Sequence, residues 1–118
     1  MKQELIMIAG PYSSGAKTKE ERAVNLEVLN KAALEVFRKG HIPVIGVNNA
    51  LPLIEIAGQD SFDEIMMPLS IALAGRCDSC LRIGGPSNGA DQEVENFRKR
   101  GKNVYFSLRE IEDSQGVV

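Results

Sequence analysis

Four short apolar runs punctuate the chain: Leu5 to Ala9, Ile42 to Val47, Cys80 to Ile83 and Val104 to Phe106. Each is too short for a helix, and only Arg82 breaks one of them with a charge. Unbroken runs of this kind suit strands covered on both faces, as in a parallel sheet.

The intervening segments carry helical spacing. Thr18 and Glu21 form a capping-box pair, and the helix they open places Ala23, Leu26, Leu29, Ala33 and Phe37 at steps of three and four before Gly40 ends it. Ser61 and Glu64 make a second such pair, opening a helix toward Gly75 that Pro68 should kink. A short helix is expected over Asn49 to Gly58, another from near Asn88 to Gly101, and a fraying one after Ser107. Strands alternating with helices predict a small doubly wound α/β sandwich of three layers, Rossmann- or flavodoxin-like, with about four parallel strands in the order 2-1-3-4.

At 118 residues the chain reads as one domain over 1–118, large enough for a core without staples. A net charge of −2 supplies no basic field, which argues against a polymeric nucleic acid or an anionic membrane as partner but leaves a nucleotide-sized ligand open. No signal peptide or spanning stretch is visible, and two cysteines do not make a disulfide scaffold, so a reduced, cytoplasmic protein is expected.

After the first strand, GPYSSGAKT (Gly10 to Thr18) is one residue away from the phosphate-gripping pattern G-x-x-x-x-G-K-[ST]. Ala16 stands between the second glycine and Lys17, and the capping box starts the helix only after Thr18, so the lysine falls outside it. Pro11 and Tyr12 add stiffness and bulk where a phosphate loop needs bare backbone, and no later strand ends in a magnesium-binding aspartate. An NTPase is therefore disfavoured.

In an open α/β sheet, ligands bind outside the carboxyl ends of the strands where the strand order reverses. With order 2-1-3-4 this point lies between strands one and three, whose ends carry GPYSSG (Gly10 to Gly15) and GGPSNGADQE (Gly84 to Glu93). The two loops describe either a small polar-ligand pocket or a pair of ordinary turns. On the helix that follows, Ala90, Val94 and Phe97 share one buried stripe, Glu95 points away from it, and Glu93 lies at its edge in the first turn. Apolar packing would raise the Glu93 pKa and the helix start would lower it. A partly desolvated carboxylate there suits a nucleophile, while Asp91 and Glu93 as plain complements of the helix dipole remain the alternative.

The GPY loop (Gly10 to Tyr12), GHIP (Gly40 to Pro43), and Cys77-Asp78 followed by Ser87-x-Gly89-Ala90-x-x-Glu93 together resemble the nucleoside 2-deoxyribosyltransferase family. They are most similar to its small branch and to the deoxynucleoside-monophosphate N-glycosidases. The resemblance is collinear from about Leu5 to Phe106 and implies cleavage or transfer at an N-glycosidic bond, with Glu93 attacking the anomeric carbon. It further implies that Ser87, with backbone amides near Asn88 and Gly89, holds a 5′ phosphate, and that Gly10, Pro11 and Tyr12 border the sugar and base. The implied ligand is a nucleoside or its 5′-monophosphate, with no metal or organic cofactor, in a homodimer or larger homo-oligomer. One position departs: where the family commonly has an aspartate that assists the sugar or leaving base, this chain has Ser70. Asp60 or Asp63 would substitute only if their end of the helix turns inward, while Asp78 enters strand three at the opposite edge of the sheet. Ser70 therefore keeps a second reading open, a non-catalytic nucleotide- or sugar-phosphate-binding module of the same fold.

Other features are less specific. Cys77-Asp78-Ser79-Cys80 has redox spacing but runs from a helix end into a strand, where cysteines pack as small hydrophobes. His41 reads as a helix-cap or strand-edge residue, and Phe97 to Lys102 as a solvated last helical turn. Met66 and Met67 read as filler of the core or of an interface.

Overall fold

A computed structural model describes residues 2–114. Four parallel strands, β1 (Leu5–Ala9), β2 (Ile42–Val44), β3 (Ser79–Arg82) and β4 (Asn103–Tyr105), form one sheet in the order β2-β1-β3-β4. Four α-helices flank it: α1 (Lys19–Arg38), α2 (Gly46–Ala57), α3 (Phe62–Ala74) and α4 (Asn88–Lys99). The fold is the α/β, Rossmann- or flavodoxin-like arrangement that the alternation predicts.

Side-chain alternation along β1 divides the core in two. Ile6 and Ile8 point to one face and pack with Leu29, Ala32 and Val36 of α1. Met7 and Ala9 point to the other, with Ala74 of α3 and Ala90, Val94 and Phe97 of α4. Helix α2 packs on α3 through Ala50, Ile54 and Met66.

Several local expectations are corrected. Strand β2 ends at Val44 and α2 begins at Gly46, earlier than Asn49, and its first residue lies against Ser70 of α3, where only a glycine fits. The α1 stripe is Leu29, Ala32 and Val36, whereas Ala23 and Phe37 are exposed. Apolar residues occur all round this helix, Val24, Val28 and Leu34 among the exposed ones, so spacing alone does not fix its inner face. Thr18 and Glu21 close their capping box. Ser61 makes no cap bond: it ends a 3₁₀ turn (Gln59–Ser61) with near-helical backbone, not the extended conformation of a capping residue. Helix α3 continues through Pro68. After Ser107 there is only a 3₁₀ turn (Leu108–Glu110), then extended backbone that buries Ile111; any helix beyond 114 lies outside the described residues.

Candidate functional site

Strands β1 and β3 are adjacent and in register, Ala9 opposite Arg82, so the loops that leave them start side by side. The Ile83 amide donates to the Ala9 carbonyl at 2.9 Å. Gly10 is held so close to this junction that a Cβ there would lie 2.8 Å from both the Ile83 oxygen and Leu29 Cδ2. The first loop is tied down by Asn25, whose side-chain amide donates to the Tyr12 carbonyl at 2.7 Å. The second is gathered by Arg82: Nη1 donates to the Ile83 carbonyl, Nη2 to that of Gly85 (2.8 Å) and Nε to Asp91 Oδ1 (3.3 Å). Ser14 Oγ donates to Ser87 Oγ at 3.2 Å and joins the two loops directly. Ser87 also caps α4, its oxygen accepting the Ala90 amide at 3.2 Å.

Between the loops and helices α2, α3 and α4 lies a cleft of about 230 Å³. The expected residues Gly10, Tyr12, Ser87, Gly89 and Glu93 line it. Pro11 and Asn88 stand beside it: Pro11 rests against Gly84, and Asn88 is an exposed first-turn residue of α4. Asp63, at the start of α3, and Ser70, two turns further on, also line the cleft, whereas Asp60 does not.

Glu93 is 8% exposed. Its carboxylate makes no hydrogen bond to any described residue, yet neither oxygen is fully sealed, so the group meets the cleft. Burial raises its pKa to about 7, with the Arg82 guanidinium pulling the other way. Glu93 lies in the second turn of α4 and not in the first, where the spacing put it and where Asp91 is the acid, so burial governs the group and poises it between its two forms near neutrality.

The features set aside in the sequence occupy structural positions. Asp78 straps the amino edge of the sheet, Oδ2 accepting the Leu5 amide and its own amide donating to the Leu5 carbonyl, both at 2.8 Å. Cys77 and Cys80 are buried free thiols, pushed by desolvation up to about 11 and about 12. His41 is buried at the strand edge, Nδ1 accepting the Glu4 amide (3.0 Å) and Nε2 donating to the Glu112 carbonyl (2.7 Å). Lys17 is exposed and away from the cleft. Among the described residues no cluster of three metal-ligating side chains occurs, and no helix is long and apolar enough to cross a membrane.

Two contributors escape sequence reasoning. Arg82 is visible as the single charge in an apolar run, but its role depends on the carbonyls that the loop turns back toward it. The pairing of Gly46 with Ser70 is a contact between helices, and nothing local in the sequence marks it. Comparison with known proteins finds no family model that matches the chain and no curated protein that matches it.

Proposed function

We propose that the protein cleaves or transfers at the N-glycosidic bond of a (deoxy)nucleoside or its 5′-monophosphate, with Glu93 as nucleophile. The observation that carries this reading is the Glu93 carboxylate: buried, free of hydrogen bonds to described residues, and lining a cleft rimmed by two serine- and glycine-bearing loops.

In the proposed reaction an ionised Glu93 oxygen bonds to C1′ while the C1′–N bond breaks, and that electron pair leaves with the base, which takes up a proton. Water or a second base then attacks C1′ and returns the carboxylate. Asp63 is the other carboxyl that lines the cleft and is the candidate for proton delivery in place of the missing aspartate. Ser87 Oγ already accepts from Ser14 and Ala90, which leaves its own proton to offer to a phosphate oxygen at the start of α4. A cleft of about 230 Å³ is below the roughly 300–1,000 Å³ usual for whole-ligand pockets. A nucleotide would therefore overhang its mouth, where a neighbouring copy of the chain could close over it.

Ser70, which is not ionisable, and the raised Glu93 pKa favour the second reading, a module that binds such a ligand without turning it over. The experiment is to incubate the protein with deoxynucleosides and their 5′-monophosphates, with and without a second free base, and to follow base release or exchange. The enzyme reading expects activity that Glu93→Ala abolishes and Asp63→Asn slows by about 10²-fold. Binding without turnover selects the module, and activity that survives Glu93→Ala removes the mechanism.

A further inference from the structure

The wall of the cleft opposite the serine loops is built by α2 and α3. Its apolar members are Val47, Phe62, Met66 and Met67; Asp63 at the start of α3 and Ser70 two turns further on interrupt them. Ser70 is 3% exposed; its hydroxyl makes no hydrogen bond to a described residue, yet its oxygen is not fully sealed, so it meets the cleft. It lies directly against the start of α2: a Cβ on Gly46, the first residue of that helix, would fall 2.1 Å from Ser70 Oγ and 2.9 Å from Ser70 Cβ.

The start of α2 is itself uncapped. The residue before it, Ile45, has no side chain able to accept a hydrogen bond. The Asn48 amide turns back to the Ile45 carbonyl at 3.1 Å, while Gly46 and Val47 line the cleft. The first-turn amides of a helix have no intrahelical acceptor, and they carry the positive end of its dipole. The hydroxyl can donate or accept, but the backbone amides beside it at the positive end of the helix can only donate, so the two together fit an oxygen acceptor that enters the cleft. An aspartate at position 70 would ask for the opposite, a donor.

We infer that Ser70 and the start of α2 form a subsite that reads a hydrogen-bond-accepting oxygen on the leaving base, so that oxo bases are preferred over their amino counterparts. The inference rests on the proposed function and extends it to base choice. The apolar side chains around Ser70 offer a surface for the flat faces of a base, and the hydroxyl with the helix start is the donor set within that surface. An exocyclic amino group turned toward it would leave the α2 amides unanswered and meet the positive end of the dipole.

The test is calorimetric titration of protein carrying Glu93→Gln, so that the glycosidic bond is not broken, with and without Ser70→Ala. The probes are two pairs of 2′-deoxynucleoside 5′-monophosphates that differ by oxo against amino: deoxyinosine with deoxyadenosine, and deoxyuridine with deoxycytidine. The oxo member of each pair should bind about tenfold tighter or more. Ser70→Ala should weaken that member by about 3- to 10-fold and leave the amino member unchanged. Equal affinities within both pairs, an amino preference, or equal weakening of both members by Ser70→Ala would overturn the subsite while leaving Glu93 chemistry standing. Binding of none of the four would overturn the proposed function and this inference with it.

Discussion

The Ser14 hydroxyl donates to the Ser87 hydroxyl at 3.2 Å, across 73 residues of sequence, and so fastens the loop after β1 to the loop after β3. Ser87 in turn accepts the Ala90 amide at the start of α4. One oxygen therefore sets both the separation of the loops and the first turn of the helix that carries Glu93. Ser87→Ala removes both contacts and should destabilise the fold by about 0.5–2 kcal/mol, as lost helix caps do. Ser14→Ala removes only the partly buried link and should cost less, about 1 kcal/mol at most. Denaturant titration of the two variants measures the difference. On the proposed function, Ser87→Ala also weakens a 5′-monophosphate more than the matching nucleoside, which paired titrations would register.

Glu93 makes the stability of the fold depend on pH in a direction unusual for a carboxylate. Its pKa rises from the ordinary 4.5 to about 7 in the fold. The native state therefore holds the proton where the unfolded chain has released it. The group disfavours folding least below about pH 4.5, and stability declines as pH rises through the interval to about 7, then levels. The full difference is on the order of 3 kcal/mol. Glu93→Gln should flatten this part of the profile and be more stable than the parent at about pH 8. Denaturation at about pH 5 and about pH 8 checks both. If Glu93 is the nucleophile, activity at limiting substrate follows the ionised form and climbs with pH through the same region.

Arg82 acts on Glu93 through charge and on the second loop through its bonds to the Ile83 and Gly85 carbonyls. Arg82→Gln removes the charge that favours ionised Glu93, so the midpoint of the Glu93 titration should move further upward, visible by NMR of the labelled carboxyl. A midpoint that stays in place would mean that the guanidinium is too well screened to matter.

Where α2 meets α3 there is room for a hydrogen and nothing more. Gly46→Ala forces a methyl group onto Ser70 Oγ and should cost roughly 1–3 kcal/mol, the usual range for overpacking. Adding Ser70→Gly to the same chain should restore part of the loss, because the nearest remaining atom, Ser70 Cα, is 3.2 Å away. Thermal melts of the single and double variants, read as a cycle, isolate the contact.

The sheet, its strand order and the meeting of the two loops were legible in the sequence, because unbroken apolar runs and strand–helix alternation admit few topologies. The Ala90, Val94 and Phe97 stripe and the edge position of Glu93 were legible for a related reason: a short helix with one clear apolar stripe has little freedom of rotation. Helix α1 was not, since Val24, Val28, Leu34 and Phe37 spread apolar residues round its outer side. The early start of α2 was hidden as well. Ile45, Gly46 and Val47 read locally as strand, and only the approach of Ser70 explains a glycine there. Sequence spacing left Glu93 as either nucleophile or dipole complement; its burial without a hydrogen-bonding partner among the described residues is a tertiary property that spacing does not carry.

The most direct measurement is mass spectrometry of the protein quenched in acid during reaction with a deoxynucleoside 5′-monophosphate. A deoxyribosyl-phosphate adduct is expected on the peptide that contains Glu93, absent from Glu93→Ala protein. Base release with no adduct on that peptide, continuing undiminished in the variant, would contradict Glu93 as the nucleophile.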